Sequence, residues 1–562
     1  MKGTLIKKFL LFLLCAFVST QSFGASYPPI TDLKGNGLAV STHELADAIG
    51  QRVLDSGGNA IDAAVAVGYA LSVVHPAAGN IGGGGFALIH LANGQNIALD
   101  FREVAPKKAT RDMYLDKNGE VVEDLSVVGY LAAGVPGTVK GMSAMLDKYG
   151  TKKLAELIAP AIELADKGFA ITERQAQTML EARSNLAKFA SSKKYFLKPD
   201  GTPYKQGEKL VQKDLAKTLR LIADKGADAF YKGEIAAMIE ADMKKNGGII
   251  TKDDLASYEV AWRKPVEGTY RGYKILSMSP PSSGGTHIIQ ILNTIENTNI
   301  AQYGYQSSQA IHIIAEAMRQ AYADRSEYMG DPAFVKIPLD KLLSKEYAKE
   351  IYAKITPNAT PSSQVKPGLG PIHEGNNTTH YSVADKWGNA VSVTYTINGS
   401  FGAYAAVDGA GFLLNNEMDD FSIKPGVPNQ YGLVGGDANA IAPGKRPLSS
   451  MSPTIVLDKS GKLYMVVGSP GGARIITTVL QVIINVIDYK MDIARAVESS
   501  RFHLQWLPDE LRLEAFGLGQ DTKDSLTKMG YKLVELPDMG DVNAILIDSG
   551  VMQGAHDPRT EF

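Results

Sequence analysis

The chain has 562 residues and one cysteine, Cys15, which lies inside an apolar run from Phe9 to Val18. Everything downstream is therefore without a disulfide, a thiol nucleophile or a cysteine metal site. After Val18 no other long apolar stretch occurs, which excludes a set of membrane-spanning helices. An excess of either charge is also missing: 58 Lys and Arg stand against 60 Asp and Glu, a net of −2. Without a basic surplus, neither nucleic acid nor an anionic membrane is an expected partner. No internal repeat of the solenoid kind is present.

The chain does have apolar residues in quantity, 44% of the total, enough at this length for a large buried core. At the start, Lys2, Lys7 and Lys8 precede the apolar run, and small or polar residues follow it to Ser22-Phe23-Gly24. This is the pattern of a secretory signal over residues 1–24, cut before Ala25. The expected location is periplasmic or secreted. Phe12-Leu13-Leu14 lacks the small residue a lipoprotein signal needs beside Cys15, so no membrane anchor is expected after cleavage. Loss of three lysines and no acids would leave a net charge of −5.

Asn59 to Val74 is alanine-rich and apolar almost all round, with a capping residue in front and His75-Pro76 behind, and predicts a buried helix. The glycines Gly82 to Gly85 follow, then a hairpin about Asn93-Gly94 that delivers Arg102 at a strand end. No Lys-Ser/Thr pair follows these glycines, which argues against a phosphate loop. Helical periodicity dominates from Gly134 to Gly330, and Pro280 to Leu292 reads as a loop whose glycines pack closely before a helix. Residues 357–377 (PNATPSSQVKPGLGPIHEGNN) are rich in Pro, Gly, Ser and Asn and read as a flexible linker.

Directly after that linker comes a hairpin: a strand from Thr378, a turn at Asp385 to Asn389, and a second β-rich run from Ala390 to Ile397. Trp387 is midway between Thr378 and Thr396, so a symmetric register sets the two threonines face to face. With a strand period of two, Asn398 shares the face of Thr396. A threonine hydroxyl is a weak nucleophile that its own α-amino group can activate. That amine, with an unperturbed pKa of about 8, exists only at a chain start. Thr378 would have to be freed by cleavage after Asn377. On local pattern alone, ordinary β-branched propensity is by far the commoner reason for a threonine pair in a strand.

Further on, Glu417 and Asp420 stand close together; paired acids suit glycoside or metal chemistry, but on pattern alone surface caps are commoner, and no histidine cluster is near to complete a metal site. Ser469-Pro470-Gly471-Gly472 links the strand Lys462 to Gly468 with a helix expected over Ala473 to Ile487. Free N–H groups at such a helix start suit an oxyanion.

The sequence TTHYSVADKWGNAVSVTYTIN, with DFREVAP (Asp100 to Pro106), LLNNEMDDFS (Leu413 to Ser422), YGLVGGDANA (Tyr431 to Ala440), KRPLSSMSPT (Lys445 to Thr454) and GSPGGARIITTVLQ (Gly468 to Gln481), resembles the bacterial γ-glutamyltransferases, which are N-terminal nucleophile hydrolases. The resemblance spans essentially the whole chain after its leader. It implies an α/β (α+β) fold, the four-layer αββα sandwich, formed by one precursor that cuts itself between Asn377 and Thr378. The products would be an intertwined large subunit, 25–377, and small catalytic subunit, 378–562. It implies Thr378 as nucleophile and, through its freed amine, base; Thr396 as its orienter; and Gly471 and Gly472 as oxyanion donors. Arg102, Ser449 and Ser450 would bind the substrate α-carboxylate. Asn398, Glu417 and Asp420 would bind its α-ammonium; some relatives carry glutamine where this chain has Glu417. Tyr431 would close a lid.

The implied donors are glutathione, glutamine and other γ-glutamyl compounds, and the implied acceptors are water, amino acids and peptides. No metal or other cofactor is implied, and a dimer of such heterodimers is left open. His380 and His503 are expected to be structural. Three alternatives remain at this stage: a cephalosporin or glutaryl acylase of the same fold, a serine acyltransferase using Ser191-Ser192-Lys193-Lys194, and a non-enzymatic exported binding protein.

Overall fold

A computed structural model describes residues 28–366 and 378–559, apart from 425, 428 and 431–434. Two antiparallel sheets form its centre. The first has six strands in the order Gly37–Val40, Thr379–Asp385, Ala390–Thr396, Gly84–His90, Asn96–Asp100 and Ala261–Arg263. The second has seven: Ile30–Thr31, Val551–His556, Asn543–Asp548, Leu463–Gly468, Thr454–Leu457, Tyr273–Ser277 and Val266–Tyr270. Each sheet thus interleaves strands from before and after residue 378, so cutting there would leave two chains sharing both sheets.

Alternation along the strands explains the layers. In Thr379–Asp385, Tyr381 and Val383 join an apolar cluster with the helix Ala60–Val74, while Ala384 joins the cluster of the opposite side. Between the sheets, the Ser382 hydroxyl donates to the Asn543 carbonyl (2.9 Å) and the Ser392 hydroxyl to the Val467 carbonyl (3.3 Å). The sheets come close because small side chains face each other: a Cβ on Gly468 would lie 2.3 Å from His380 Cε1. Helices Ala60–Val74 and Glu44–Asp55 cover the first sheet, and Gly284–Ile295 and Ile475–Ile487 cover the second. This is the four-layer αββα sandwich expected from the sequence.

The predicted buried helix is Ala60–Val74, buried at every residue. Asn59 caps it, its side chain accepting from the N–H groups of Ile61 and Asp62 while Asp62 accepts from the Asn59 N–H. The glycines Gly82 to Gly85, leading into the first sheet, are needed for close approach. A Cβ on Gly83 would lie 2.0 Å from the Thr396 carbonyl oxygen. The segment read as a linker divides in two. Residues 357–366 are pinned: Arg319 donates to the Ser362 hydroxyl (2.6 Å), which donates to the Trp506 carbonyl (2.6 Å). Short polar side chains that argued for a linker here serve as hydrogen-bond partners instead. Residues 367–377 lie outside the described residues. The helix expected from Ala473 begins with a tight 3-10 turn, Gly472–Arg474, and is α-helical only from Ile475.

Candidate active site

Thr379 pairs with Tyr395 and Ala384 with Ala390, the register that is symmetric about Trp387. Thr378 consequently faces Thr396, and its hydroxyl donates to the Thr396 hydroxyl at 3.4 Å. Both side chains are on the inter-sheet face, at the strand ends where the two sheets part. The Asn398 N–H also donates to Thr396 Oγ1 (2.8 Å), because the strand ends at Thr396 and Asn398 takes a left-handed backbone with φ 71°. Its carboxamide leaves the hydroxyl patch expected from the period and donates to the Asn416 carbonyl (3.0 Å). Asn398 is thereby directed toward the turn that carries the acids. A cavity of about 1140 Å³ opens beside Thr378, with Gly471, Phe401 and His43 also in its wall.

Opposite charges collect behind this point. Arg102 is completely buried two residues beyond the strand Asn96–Asp100. Its guanidinium donates to Glu417 and to Asp420, both on the turn Glu417–Asp420, and to the carbonyls of Pro447 (3.4 Å) and Leu448 (3.3 Å). Burial works against the Arg102 charge, but the Glu417, Asp420 and Glu103 carboxylates outweigh it and hold its pKa above the usual range. Burial drives Glu417 well up, with Arg102 opposing, and raises Asp420 in the same way. Arg102 and the two acids, assigned to opposite ends of a substrate, are here direct partners. A buried guanidinium takes the carboxylates within its reach.

Ser449 and Ser450 are buried nearby, held from the side by the Pro280 to Leu292 segment. The Ser283 N–H and hydroxyl both donate to the Ser449 carbonyl at 2.8 Å. A Cβ on Gly284 would lie 2.0 Å from Ser452 Oγ, which accounts for the glycine there. In the cavity wall Gly471 has φ 130°, and the next residue, Gly472, has φ 54°, a left-handed pair that turns the chain from strand to helix. Among the described residues no hydrogen bond takes up the N–H of either glycine.

His380 bonds to Thr394 Oγ1 (2.8 Å) and Ser382 Oγ (3.0 Å), and His503 to Thr477 Oγ1 (2.8 Å) and Gln505 Oε1 (2.7 Å). Burial lowers both imidazoles to about 3, so both are neutral packing groups at neutral pH. The Ser191 hydroxyl donates to the Ala406 carbonyl (2.6 Å), while Lys194 pairs with Asp214 (2.9 Å), which removes the S-x-x-K alternative. Among the described residues no cluster of three or more His, Cys, Asp or Glu could hold a metal, and no helix is long and apolar enough to cross a membrane.

Two charged neighbours were missed by sequence reasoning. Glu103 is fully buried, 3.7 Å from Arg102, and neither of its oxygens has a hydrogen-bond partner among the described residues. Burial raises it to about 7. Arg325 is buried on the helix Ser308–Tyr328 and donates to Ser450 Oγ. Adjacency to Arg102 was the available signal for Glu103; Arg325 sits in an ordinary helical pattern and had none. Asn377 and Tyr431 lie outside the described residues.

The Gamma-glutamyltranspeptidase family model matches residues 46–561. A "Glutathione hydrolase proenzyme" of Escherichia coli (strain K12) is 54% identical over 527 residues, 93% of this chain and 90% of that one. A protein of the same description from Bacillus subtilis (strain 168) is 41% identical over 94% of this chain and 90% of its own length. Among solved structures, a Helicobacter pylori gamma-glutamyltranspeptidase chain is 67% identical, covering 61% of this chain and 98% of that one, with a TM-score of 0.59. A cephalosporin acylase from Bacillus halodurans is 28% identical, covering 96% and 98%, with a TM-score of 0.84. An enzyme is thereby established over a binding protein, and the chain belongs to the gamma-glutamyltranspeptidase family.

Proposed function

We propose that the protein is an exported, self-cleaving γ-glutamyltransferase that also hydrolyses glutathione, with Thr378 as the attacking residue. The carrying observation is the position of Thr378: opposite Thr396, between the sheets, at a cavity shared with Gly471. Cleavage between Asn377 and Thr378 supplies the α-amine. That amine takes the hydroxyl proton as Oγ attacks the γ-carbonyl, and returns it to the departing amine as the C–N bond breaks. The Gly471 and Gly472 N–H groups bear the oxyanion. The γ-glutamyl-Thr378 ester is then resolved by water, or by the amine of an amino acid or peptide. Thr396 and its bond from Asn398 fix the direction of the attacking hydroxyl.

The buried charges account for selection of a γ-glutamyl head. An α-carboxylate accepting from Arg102, with Ser449 and Ser450 beside it, and an α-ammonium donating to Glu417, Asp420 and Asn398 would exchange one set of ion pairs for another. Each charge keeps an opposite partner, so no charge is left uncompensated on binding. An acylase is the second reading, favoured by the cephalosporin acylase fold match and by a Pseudomonas "Acylase ACY 1 proenzyme" that is 40% identical over 92% of this chain. The concentration of acids facing Arg102 argues for the zwitterion; relative turnover of a γ-glutamyl and a glutaryl anilide decides.

The coverage of the Helicobacter chain supports a cut here. A fragment 25–377 would be about 63% of the 562 residues, close to the 61% that the solved chain spans. The test is a denaturing gel with N-terminal sequencing of the exported protein. Bands of about 38 and 20 kDa, from a 60.2 kDa whole, and a new terminus at Thr378 are expected. A single uncut band in active protein would overturn the proposal.

A further inference from the structure

Arg325 is a buried cation that makes no ion pair with any carboxylate among the described residues. Its Nε donates to Ser283 Oγ (2.9 Å) and its Nη2 to Ser450 Oγ (3.1 Å). Ser283 passes the contact on, since its hydroxyl donates to the Ser449 carbonyl (2.8 Å). Arg325 therefore backs both serines of the loop, one through its hydroxyl and one through its carbonyl. Burial brings the guanidinium down to about 10, opposed only in part by Tyr322 and, more weakly, by Asp420. A guanidinium placed in an interior without a carboxylate is costly and calls for an anion nearby.

We propose that Arg325 is a positioning residue for the substrate α-carboxylate, acting through Ser450. A hydroxyl that accepts from a guanidinium has its proton free for another acceptor. The Arg325 bond therefore commits the Ser450 O–H to the incoming carboxylate and adds positive potential behind it. Arg102 meets the carboxylate directly; Arg325 sets the direction and polarity of the serine beside it. This rests on the proposed γ-glutamyl function, whose carboxylate end it completes.

The test compares a γ-glutamyl anilide with the same anilide whose α-carboxylate is replaced by a carboxamide. In Arg325→Gln, KM for the carboxylate donor should rise about tenfold with kcat changed much less, whereas KM for the carboxamide donor should move less than about twofold. Arg325→Lys, which keeps the charge, should recover part of the loss. Adding Arg325→Gln to Ser450→Ala should produce little beyond Ser450→Ala alone. If Arg325→Gln does not yield folded protein, Ser283→Ala gives the same selective loss at about threefold. Equal losses on both donors, in either variant, reduce Arg325 to a structural group and overturn the inference. Wild-type enzyme that fails to distinguish the two donors overturns the underlying clamp instead.

Discussion

The two ends of the site are built from opposite materials. Along the inter-sheet face that leads to Thr378 the hydrogen-bonding groups are neutral: hydroxyls on Thr396, Thr394, Ser382 and Ser392, and the His380 imidazole that burial keeps uncharged. Around Arg102 they are almost all charged, with Glu103, Glu417, Asp420 and Arg325 gathered in the interior. The neutral end suits a reaction that must hold one hydroxyl steady and move one proton. The charged end suits a ligand that arrives with both signs of its own. Damage to the first should stop the chemistry; damage to the second should alter which molecules receive it.

The sharpest way to break this division is Thr378→Ala, which should leave an uncut precursor with turnover down at least about a thousandfold, since one hydroxyl serves both reactions. Thr378→Ser should still cut, more slowly. Efficient cleavage of the alanine variant on its own, seen on a denaturing gel, would take self-processing away from Thr378.

At the charged end, Asp420→Ala should still cut but lose about ten- to a hundredfold in catalytic efficiency, the value of one or two charge-assisted hydrogen bonds. Arg102→Ala should do the same and also destabilise, because three buried carboxylates lose their nearest cation. A donor lacking its α-amino group discriminates the two ends. It should be poor with wild type yet lose far less on Asp420→Ala than the γ-glutamyl donor does. Equal losses would show that Asp420 does not read the ammonium.

A smaller effect is expected of Thr396→Val, which keeps the shape and removes the hydroxyl that receives Thr378 and Asn398. We expect kcat to fall about tenfold with KM nearly unchanged, as for a lost orienting bond. A change in KM alone would move Thr396 from the neutral end to substrate binding.

The same contrast separates what could be read in the sequence from what could not. The Thr378–Thr396 pairing follows from a local symmetry about Trp387 and needs no tertiary information, and the structure has that register. The helix Ala60–Val74 was legible from its cap and its apolar circumference. The charged end draws on residues 102, 325, 417, 420 and 450, which no period connects; only resemblance to a family brought most of them together. Arg325 escaped even that, because a buried arginine in a helix looks in sequence like any amphipathic position. The docked residues 357–366 escaped because composition cannot tell a solvated serine from one, such as Ser362, bonded on both sides.

The last and smallest effect lies between the two ends, at Asp419. It sits on the same turn as Glu417 and Asp420 but faces away from Arg102, accepting from the Ser126 hydroxyl (2.7 Å) and the Gln430 N–H (2.8 Å). Burial raises it from the usual carboxylate range to about 7, only partly offset by those bonds. The folded state thus binds a proton that the unfolded state has released between about pH 4 and 7. Stability from this group must fall as pH rises through that interval, and it stays low above it. The buried histidines act in the opposite direction: His380 and His503, lowered to about 3, favour the folded state increasingly as pH rises toward 6.5. Comparing Asp419→Asn with wild type cancels their contribution. An asparagine resembles the protonated carboxyl, since Ser126 can rotate to accept from its amide while Gln430 still donates to its oxygen. The variant should therefore melt several degrees above wild type at pH 8, with the difference shrinking as pH falls and vanishing only below about pH 4, where the unfolded carboxyl is protonated too. A difference that does not change with pH would show that Asp419 is ionised in the fold throughout, and would place a charge on the side of the turn facing Ser126 and Gln430.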